Sequence, residues 1–183
     1  MKEVYPGIFL IKETGTVKSV KPTINVYVLA GHDGLIFDAG YGDKTTEKYI
    51  IEEIKKIEDI YLSKHEKFRL TRVIPSHSHP DHVSALKLLR KYVKVKIVLT
   101  KKMAEIVKDK RSYLRIFKPN IAEDLLRKNS LWIRIKQFIK FYFWWRLYRK
   151  AYGLKFINNP DEIIDESTEI SINGEIWRII PSP

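Results

Sequence analysis

Residues 76–82 are Ser-His-Ser-His-Pro-Asp-His, and this stretch decides how the rest of the sequence is interpreted. It places three of the five histidines of the chain and one carboxylate within six positions. His77 and His79 are two residues apart, so in an extended loop their imidazoles point to the same side and can share one metal ion. Asp81 and His82 follow at the predicted start of a helix, where a carboxylate faces the positive end of the helix dipole. The stretch therefore predicts a metal site, with Asp81 and His82 available to a second ion.

The residue types of this stretch limit which metal it takes. Neutral imidazoles together with a carboxylate suit zinc, iron or manganese. The chain has no cysteine, so no thiolate ligand distinguishes among these metals and no disulfide framework exists. The two remaining histidines, His32 and His65, lie in polar turn or loop segments. We expect both to be surface residues.

Strand and helix patterns alternate on both sides of the histidine stretch. Strands are predicted at residues 4–11, 23–30, 35–37, 72–75, 95–99, 168–172 and 175–180, and helices at 44–60, 83–92 and 101–110. The segments Gly31–Gly34 and Asn173-Gly174 have the composition of hairpin turns. This alternation predicts an α/β layer arrangement.

Length and composition indicate one globular domain. The chain has 183 residues, of which 44% are hydrophobic, and a formal net charge of +12. That length suits a single domain, and that apolar content argues against disorder. No apolar run approaches the roughly 20 residues of a membrane span, and the N-terminus does not resemble a signal peptide. We expect a cytoplasmic protein, with a peripheral membrane contact left open.

The positive charge is concentrated in one segment. Residues 125–160 contain nine Lys or Arg and no Asp or Glu, and residues 131–150 contain eight aromatic and six basic residues. Four interpretations stay open for 131–150. It is a helix on an anionic membrane surface, a lid over the metal site, a nucleic-acid surface, suggested less strongly, or a helical hairpin packed on the domain with a solvated basic rim.

The motif at 77–82, the strand Asn25–Leu29 and the strand end Leu35–Gly40 together resemble the metallo-β-lactamase fold. The resemblance covers residues 1–110 and 161–183, and residues 111–160 look like a helical insertion. It implies an α/β fold in which this chain forms the N-terminal αβ half of an αββα sandwich. In that family a dinuclear metal site lies along one edge of the sandwich.

The resemblance also implies roles for individual residues. His77 and His79 would bind the first of two zinc ions, and Asp81 and His82 the second. Asp38 would be a carboxylate behind the ligands that orients the imidazoles. A metal-bound hydroxide is the usual nucleophile of the family, and Asp81 would also handle protons. The implied activity is hydrolysis of a small-molecule ester, thioester or lactone.

Two departures from the family pattern qualify this expectation. Ser84 stands where family members often have glycine. More importantly, family members carry a third histidine directly after a strand that ends like 177–181, and this chain ends at Pro183. We therefore expect residues 1–183 to form one C-terminally incomplete domain with two protein ligands per metal, whereas catalytic zinc normally has three.

An incomplete domain leaves several functions open. Self-association or a complementing chain would supply the missing half. The alternative is a catalytically inactive fragment that serves as a binding or assembly module. A nuclease of the same fold is suggested only by the charge.

Overall fold

A computed structural model describes residues 1–13, 21–117 and 131–180 of the chain. The strands in these ranges are β1 Lys2–Tyr5, β2 Ile8–Glu13, β3 Ile24–Leu29, β4 Gly34–Phe37, β5 Leu70–Ile74, β6 Lys96–Thr100, β7 Glu162–Ile164, β8 Glu169–Ile172 and β9 Glu175–Arg178. The helices are α1 Lys44–Ser63, α2 Pro80–Val83, α3 Leu86–Tyr92, α4 Lys101–Val107, α5 Lys110–Phe117 and α6 Leu131–Tyr152. The predicted α/β class is confirmed.

Seven strands form one mixed sheet in the order β1 to β7. The first four strands pair antiparallel, and the predicted turn at Gly31–Gly34 joins β3 to β4, with Leu29 opposite Leu35. From β4 to β7 the pairing is parallel, because helical crossovers connect these strands. The carboxyl ends of β4 and β5 therefore lie at the same edge, with Phe37 beside Ile74.

Helix α1 shows how local sequence produces the helical layer. Asp43 caps its N-terminus by accepting hydrogen bonds from the backbone N–H groups of Thr45 and Thr46. Ile50, Ile54 and Ile57 recur with helical spacing and are all buried. This apolar stripe packs α1 onto the sheet. The helix predicted at 44–60 is therefore confirmed.

Different elements pack on the two faces of the sheet. Alternate residues of β3, such as Val26 and Val28, join a large core with α1 and α3. The opposite face contributes Leu29, Leu35 and other residues to a smaller cluster that Ile172 of the β8–β9 hairpin completes. Helices thus cover one face, and a two-stranded hairpin covers part of the other.

The β8–β9 hairpin is attached to the turn between β3 and β4 through Asn173. Asn173 and Gly174 both have positive φ, 52° and 86°, as the predicted two-residue turn requires. The Asn173 side chain accepts from the Asp33 N–H at 2.9 Å and donates to the Ala30 carbonyl at 2.9 Å. The two predicted hairpins are therefore joined directly to each other.

Three predicted elements differ from the structure. The helix predicted at 101–110 ends at Val107 as α4, and Lys110 begins α5. The helix predicted at 83–92 is divided into α2 and α3, because the Ala85 N–H donates to the Gly40 carbonyl and not along the helix. The strand predicted at 4–11 is two strands, because Gly7 turns the chain between β1 and β2 with φ 75°.

The predicted insertion at 111–160 contains the end of α5 and all of α6, while its residues 118–130 lie outside the described part of the chain. Trp145 of α6 is buried, whereas Trp132, Phe143 and Trp144 are exposed. Within the described ranges, no helix combines the length and apolarity needed to cross a membrane.

Candidate metal centre

The histidine stretch lies at the edge of the sheet where β4 and β5 end. Strand β5 ends at Ile74, and residues 76–79 form the loop that leads into α2 at Pro80. The Asp38 N–H donates to the Ile74 carbonyl at 2.9 Å, which holds the residue after β4 beside this loop. The parallel register therefore brings Asp38 to the motif.

Asp38 organises the loop through three hydrogen bonds. The residue is 6% exposed, and its side chain accepts from the Ser76 N–H at 2.6 Å and from Ser76 Oγ at 3.1 Å. It also contacts His82 Nδ1 at 2.9 Å. The φ of 68° at Asp38 lies in the left-handed region, which aspartate tolerates better than most residues. This backbone conformation and these bonds fix the carboxylate behind His82.

The three histidines of the motif form one cluster. His77 Nε2 and His79 Nδ1 are 2.9 Å apart, and the ring centroids of His77 and His82 are 3.9 Å apart. Ser76 Oγ lies 3.0 Å from His77 Nδ1 and 3.2 Å from His82 Nδ1. Ser76 was not predicted as a site residue. The only signal for it in the sequence is its hydroxyl group next to the first histidine.

His82 lies between two carboxylates. Its Nδ1 contacts Asp38 and its Nε2 lies 3.3 Å from Asp81 Oδ2. Burial lowers the pKa of His82, but the hydrogen bonds and charges of Asp38 and Asp81 outweigh it and raise the pKa to about 9. Burial raises the pKa of Asp81, but its hydrogen bond with His82 outweighs this and lowers it below the ordinary value. His82 and Asp81 thus form an ion pair.

His77 differs from His82 in its electrostatic environment. Burial and then the positive charge of His82 lower the pKa of His77. A neutral imidazole is the form that binds a metal ion. The neutral form is therefore favoured for His77, whereas the protonated form is favoured for the neighbouring His82.

The distances show how far these residues fit a metal ion. Two imidazole nitrogens on one tetrahedral zinc, each about 2.0–2.1 Å from the ion, lie about 3.3 Å apart. The His77 Nε2 and His79 Nδ1 nitrogens, at 2.9 Å, are at hydrogen-bond distance from each other and somewhat closer than two such ligands would be. Across residues 1–13, 21–117 and 131–180, no three or more His, Asp or Glu side chains converge to hold an ion. The described residues therefore do not form a complete ion site.

Other predicted residues lie away from this cluster. His32 and His65 are exposed, and His65 follows the end of α1 with φ 57°. Ser84 is fully buried below the motif, where its N–H donates to the Pro80 carbonyl.

Aromatic residues of the predicted insertion approach the motif from α6. Ring contacts connect Tyr113, Trp145, Tyr148 and Tyr152 in series, with centroid separations of 6.0, 6.0 and 4.4 Å. Burial, then Tyr152 and Asp81, raise the pKa of Tyr148 to about 12. The density of aromatic and basic residues in 131–150 predicted a contact surface here, but it did not predict which rings face the domain.

Comparison with known proteins identifies the family. The model of the metallo-beta-lactamase superfamily matches residues 22–181. A search of curated proteins gave no significant match. Proteins of the matching superfamily are largely hydrolases and generally bind metal ions.

Solved structures agree on the fold at low sequence identity. The chain is similar to a beta-lactamase domain protein from Burkholderia ambifaria, with 16% identity, a TM-score of 0.57, and coverage of 97% of this chain and 46% of that one. It is similar to a metallo-beta-lactamase from Legionella gormanii, with 10% identity, a TM-score of 0.55, and coverage of 93% and 48%. It is also similar to a metallo-beta-lactamase family protein from Thermus thermophilus, with 14% identity, a TM-score of 0.55, and coverage of 97% and 52%.

The chain spans about half the length of these structures. Their fold agrees with the mixed sheet and its helices, and the family match covers most of the chain. This chain is therefore a member of the metallo-beta-lactamase superfamily.

Proposed function

We propose that this chain contributes part of the metal site of a hydrolase that acts on an ester, thioester or lactone. The observation that carries the proposal is the clustering of His77, His79 and His82 at the sheet edge, behind which Asp38 and Ser76 form a hydrogen-bonded support. Superfamily membership adds the expectation of metal-dependent hydrolysis.

The residues have distinct roles in this proposal. His77 and His79 hold a first ion, and Asp81 and His82 hold a second. Zinc is the expected metal, and iron and manganese suit the same ligands. Metal ions held by these residues would supply Lewis-acid chemistry, which activates water and polarises a substrate carbonyl. Asp38 orients the His82 ring from behind, and Asp81 also handles protons.

The number of ligands determines how the site is completed. Each ion receives two ligands from the described residues, whereas catalytic zinc normally has three protein ligands and a water. The other two histidines are exposed elsewhere. The remaining ligands are therefore proposed to come from outside the described residues, and another copy of the chain or a complementing chain would supply them.

Exposed apolar side chains support such completion. Phe37 at the end of β4 is exposed, and so are Ile176 and Trp177 on β9. These residues belong to strands at the less covered face of the sheet. Apolar groups on that face are the kind of surface that a second polypeptide covers.

Metal analysis of the purified 183-residue protein tests the proposal. Elemental analysis is combined with light scattering, so that the zinc content is assigned to a monomer or to a larger assembly. We expect clearly less than two ions per monomer, and a higher content in an assembly. Near-stoichiometric dinuclear zinc in a monomer would contradict the incomplete ligand set.

Variants assign the bound metal to the motif. His77→Ala is expected to remove most of the zinc that the wild-type protein retains, because it deletes one of two ligands of the first ion. His65→Ala removes an exposed histidine outside the cluster and serves as the matched control. Equal zinc content in both variants would place the metal elsewhere.

A catalytically inactive binding or assembly module is the second candidate. It is favoured by the finding that, among the described residues, no three metal-binding side chains converge on one point. Hydrolysis of p-nitrophenyl acetate and a simple lactone, measured with and without added zinc, separates the two candidates. Zinc-dependent turnover that His77→Ala abolishes supports the hydrolase, and turnover equal to the buffer rate supports the module.

A further inference from the structure

A cleft between α5 and α6 combines an unusual set of charges. It has a volume of about 500 Å³, and residues 153–155 are part of its lining. Five cationic side chains line it, and we call it the basic cleft after them: Lys110, Arg146, Arg149, Lys150 and Lys155. No Asp or Glu is among its described lining residues. Its volume is in the range of small-molecule sites.

Two of the five cations already have partners. Lys155 Nζ forms an ion pair with Glu47 Oε1 at 2.6 Å, and Lys110 Nζ lies 5.1 Å from the centroid of the Tyr142 ring. For Arg146, Arg149 and Lys150, the part of the chain that the structure describes offers no carboxylate at ion-pair distance. Among the described residues, three positive charges of this cleft therefore have no carboxylate partner, and they are the charges that an anionic ligand would neutralise.

The spacing of these three residues concentrates their charge on one side of α6. Arg149 and Lys150 follow Arg146 by three and four positions, so they share a helix face. Repulsion between like charges at this spacing destabilises a helix slightly, and an anion in the cleft would remove that repulsion. Guanidinium groups bind phosphate oxygens in pairs, which makes phosphate the anion that two neighbouring arginines fit best.

The cleft also has an aromatic wall. Trp145 and Tyr142 line it beside the cations, and Trp145 is held in place by ring contacts with Tyr113 and Tyr148, each at 6.0 Å. A fixed aromatic surface next to phosphate-binding cations suits a ligand with a ring or an acyl chain attached to its phosphate.

We propose that the basic cleft is a binding site for a ligand that carries phosphate groups. This inference is independent of the proposed hydrolase function, because none of its residues belongs to the metal motif. Such phosphate groups come from a soluble phosphate ester or from an anionic lipid headgroup, and the experiment distinguishes these two sources.

Calorimetric titration of the 183-residue protein tests the site, with EDTA present so that the metal motif plays no part. The probes are inorganic pyrophosphate, ATP, and phosphatidylcholine vesicles with and without phosphatidylglycerol. The cleft variant R146Q/R149Q is compared with K136Q/K140Q, which removes two charges from exposed positions of the same helix outside the cleft. Circular dichroism verifies that α6 is folded in each protein.

We expect the cleft variant to weaken pyrophosphate binding by more than about tenfold, because it removes two charge-assisted contacts. The control is expected to change it by less than about twofold. Tighter binding of ATP than of pyrophosphate indicates a soluble ester, whereas binding only to vesicles with phosphatidylglycerol indicates a lipid headgroup; either supports the site.

Two results would overturn the inference. Equal weakening in both variants means diffuse attraction to a basic helix and no defined site. Absence of binding by the wild-type protein to every probe excludes the site as well. If R146Q/R149Q loses helicity, R146K/R149K replaces it, since lysine keeps the charge and loses the paired geometry; unchanged affinity of that variant for pyrophosphate then counts against the proposal.

Discussion

Gly153 packs directly on Gly42, so that a Cβ atom added at Gly153 would lie 2.0 Å from the Gly42 carbonyl carbon. The Gly42 N–H donates to the Tyr152 carbonyl at 3.0 Å in the same contact. These two glycines attach the end of α6 to the loop after β4, close to Ser84 below the motif. The position of the basic aromatic helix relative to the metal motif depends on this contact.

Gly153→Ala is therefore expected to destabilise the protein strongly. The substitution adds a side chain at φ 62° and places it against backbone atoms that have no room to move. We expect a loss of about 2–4 kcal/mol in the free energy of unfolding, measured by urea denaturation. Gly174→Ala is the matched control, because its φ is 86° and nothing lies within 4 Å of the added Cβ. Equal losses in the two variants would show that the Gly42 contact contributes nothing.

The carboxylate of Asp38 is expected to affect metal affinity without touching the metal. Asp38→Asn keeps the shape of the side chain but removes the charge that holds His82 Nδ1 at 2.9 Å. Loss of such an outer partner typically weakens metal binding by about 10–100-fold. Competition with a chromophoric chelator measures the zinc affinity of the variant relative to wild type.

Asp33→Asn provides the comparison for Asp38→Asn. Asp33 precedes β4 at its other end and pairs with Thr71 and Arg72, far along the strand from the motif. Asp33→Asn changes the net charge by the same amount as Asp38→Asn. It should leave the zinc affinity within about twofold of the wild-type value. If both variants bind zinc as the wild-type protein does, Asp38 has no role in orienting a ligand.

Stability at acid pH is expected to depend on Asp43, the N-cap of α1. Burial raises the pKa of this carboxyl, but the hydrogen bond from Lys21 Nζ at 2.5 Å and those from Thr46 outweigh it and lower the pKa. A carboxyl with a lowered folded-state pKa stabilises the protein above its unfolded pKa of about 3.9. That stabilisation is lost as the pH falls through the folded-state value.

Asp43→Asn should accordingly be less stable than wild type at neutral pH and should show a flatter dependence on pH below about pH 5. Urea unfolding at a series of pH values measures both effects. Asp59→Asn removes a carboxylate from an exposed position of the same helix and controls for net charge. Parallel pH curves for wild type and Asp43→Asn would contradict the assignment.

The elements that the sequence predicted well depend on local signals. Ile50, Ile54 and Ile57 give α1 its helical spacing, and Asn173-Gly174 supplies the positive φ angles of a tight turn. Such patterns act within a few residues, so they can be recognised without the fold. Most of the sheet and the first helix were predicted on this basis.

The features that were missed depend on contacts between distant residues. The division between α2 and α3 follows from the hydrogen bond of Ala85 to Gly40, and the support of the motif follows from the bonds of Ser76 to Asp38. Both require the parallel register of β4 and β5, in which Phe37 lies beside Ile74. Single-sequence patterns contain no information on that register, although the family resemblance implied Asp38.

The attachment of the two hairpins through Asn173 gives the last prediction. The Asn173 side chain makes two hydrogen bonds to the β3–β4 turn, at Asp33 and Ala30, and its own φ is 52°. Asn173→Ala removes both bonds and places alanine at a positive φ, which alanine tolerates less well than asparagine does. We therefore expect a loss of about 2–3 kcal/mol in the free energy of unfolding.

Asn173→Gly separates the two contributions, because glycine keeps the backbone conformation and loses only the side-chain bonds. It should therefore lose less than Asn173→Ala, and Asn158→Ala, at an exposed position, should lose almost nothing. Urea denaturation provides the free energies, and hydrogen exchange of the Asp33 amide reports the attachment directly. Because the hairpin covers part of one sheet face, its release should speed exchange at Leu35 as well. Unchanged exchange at Asp33 in Asn173→Gly would show that the hairpin is held by its apolar contacts alone.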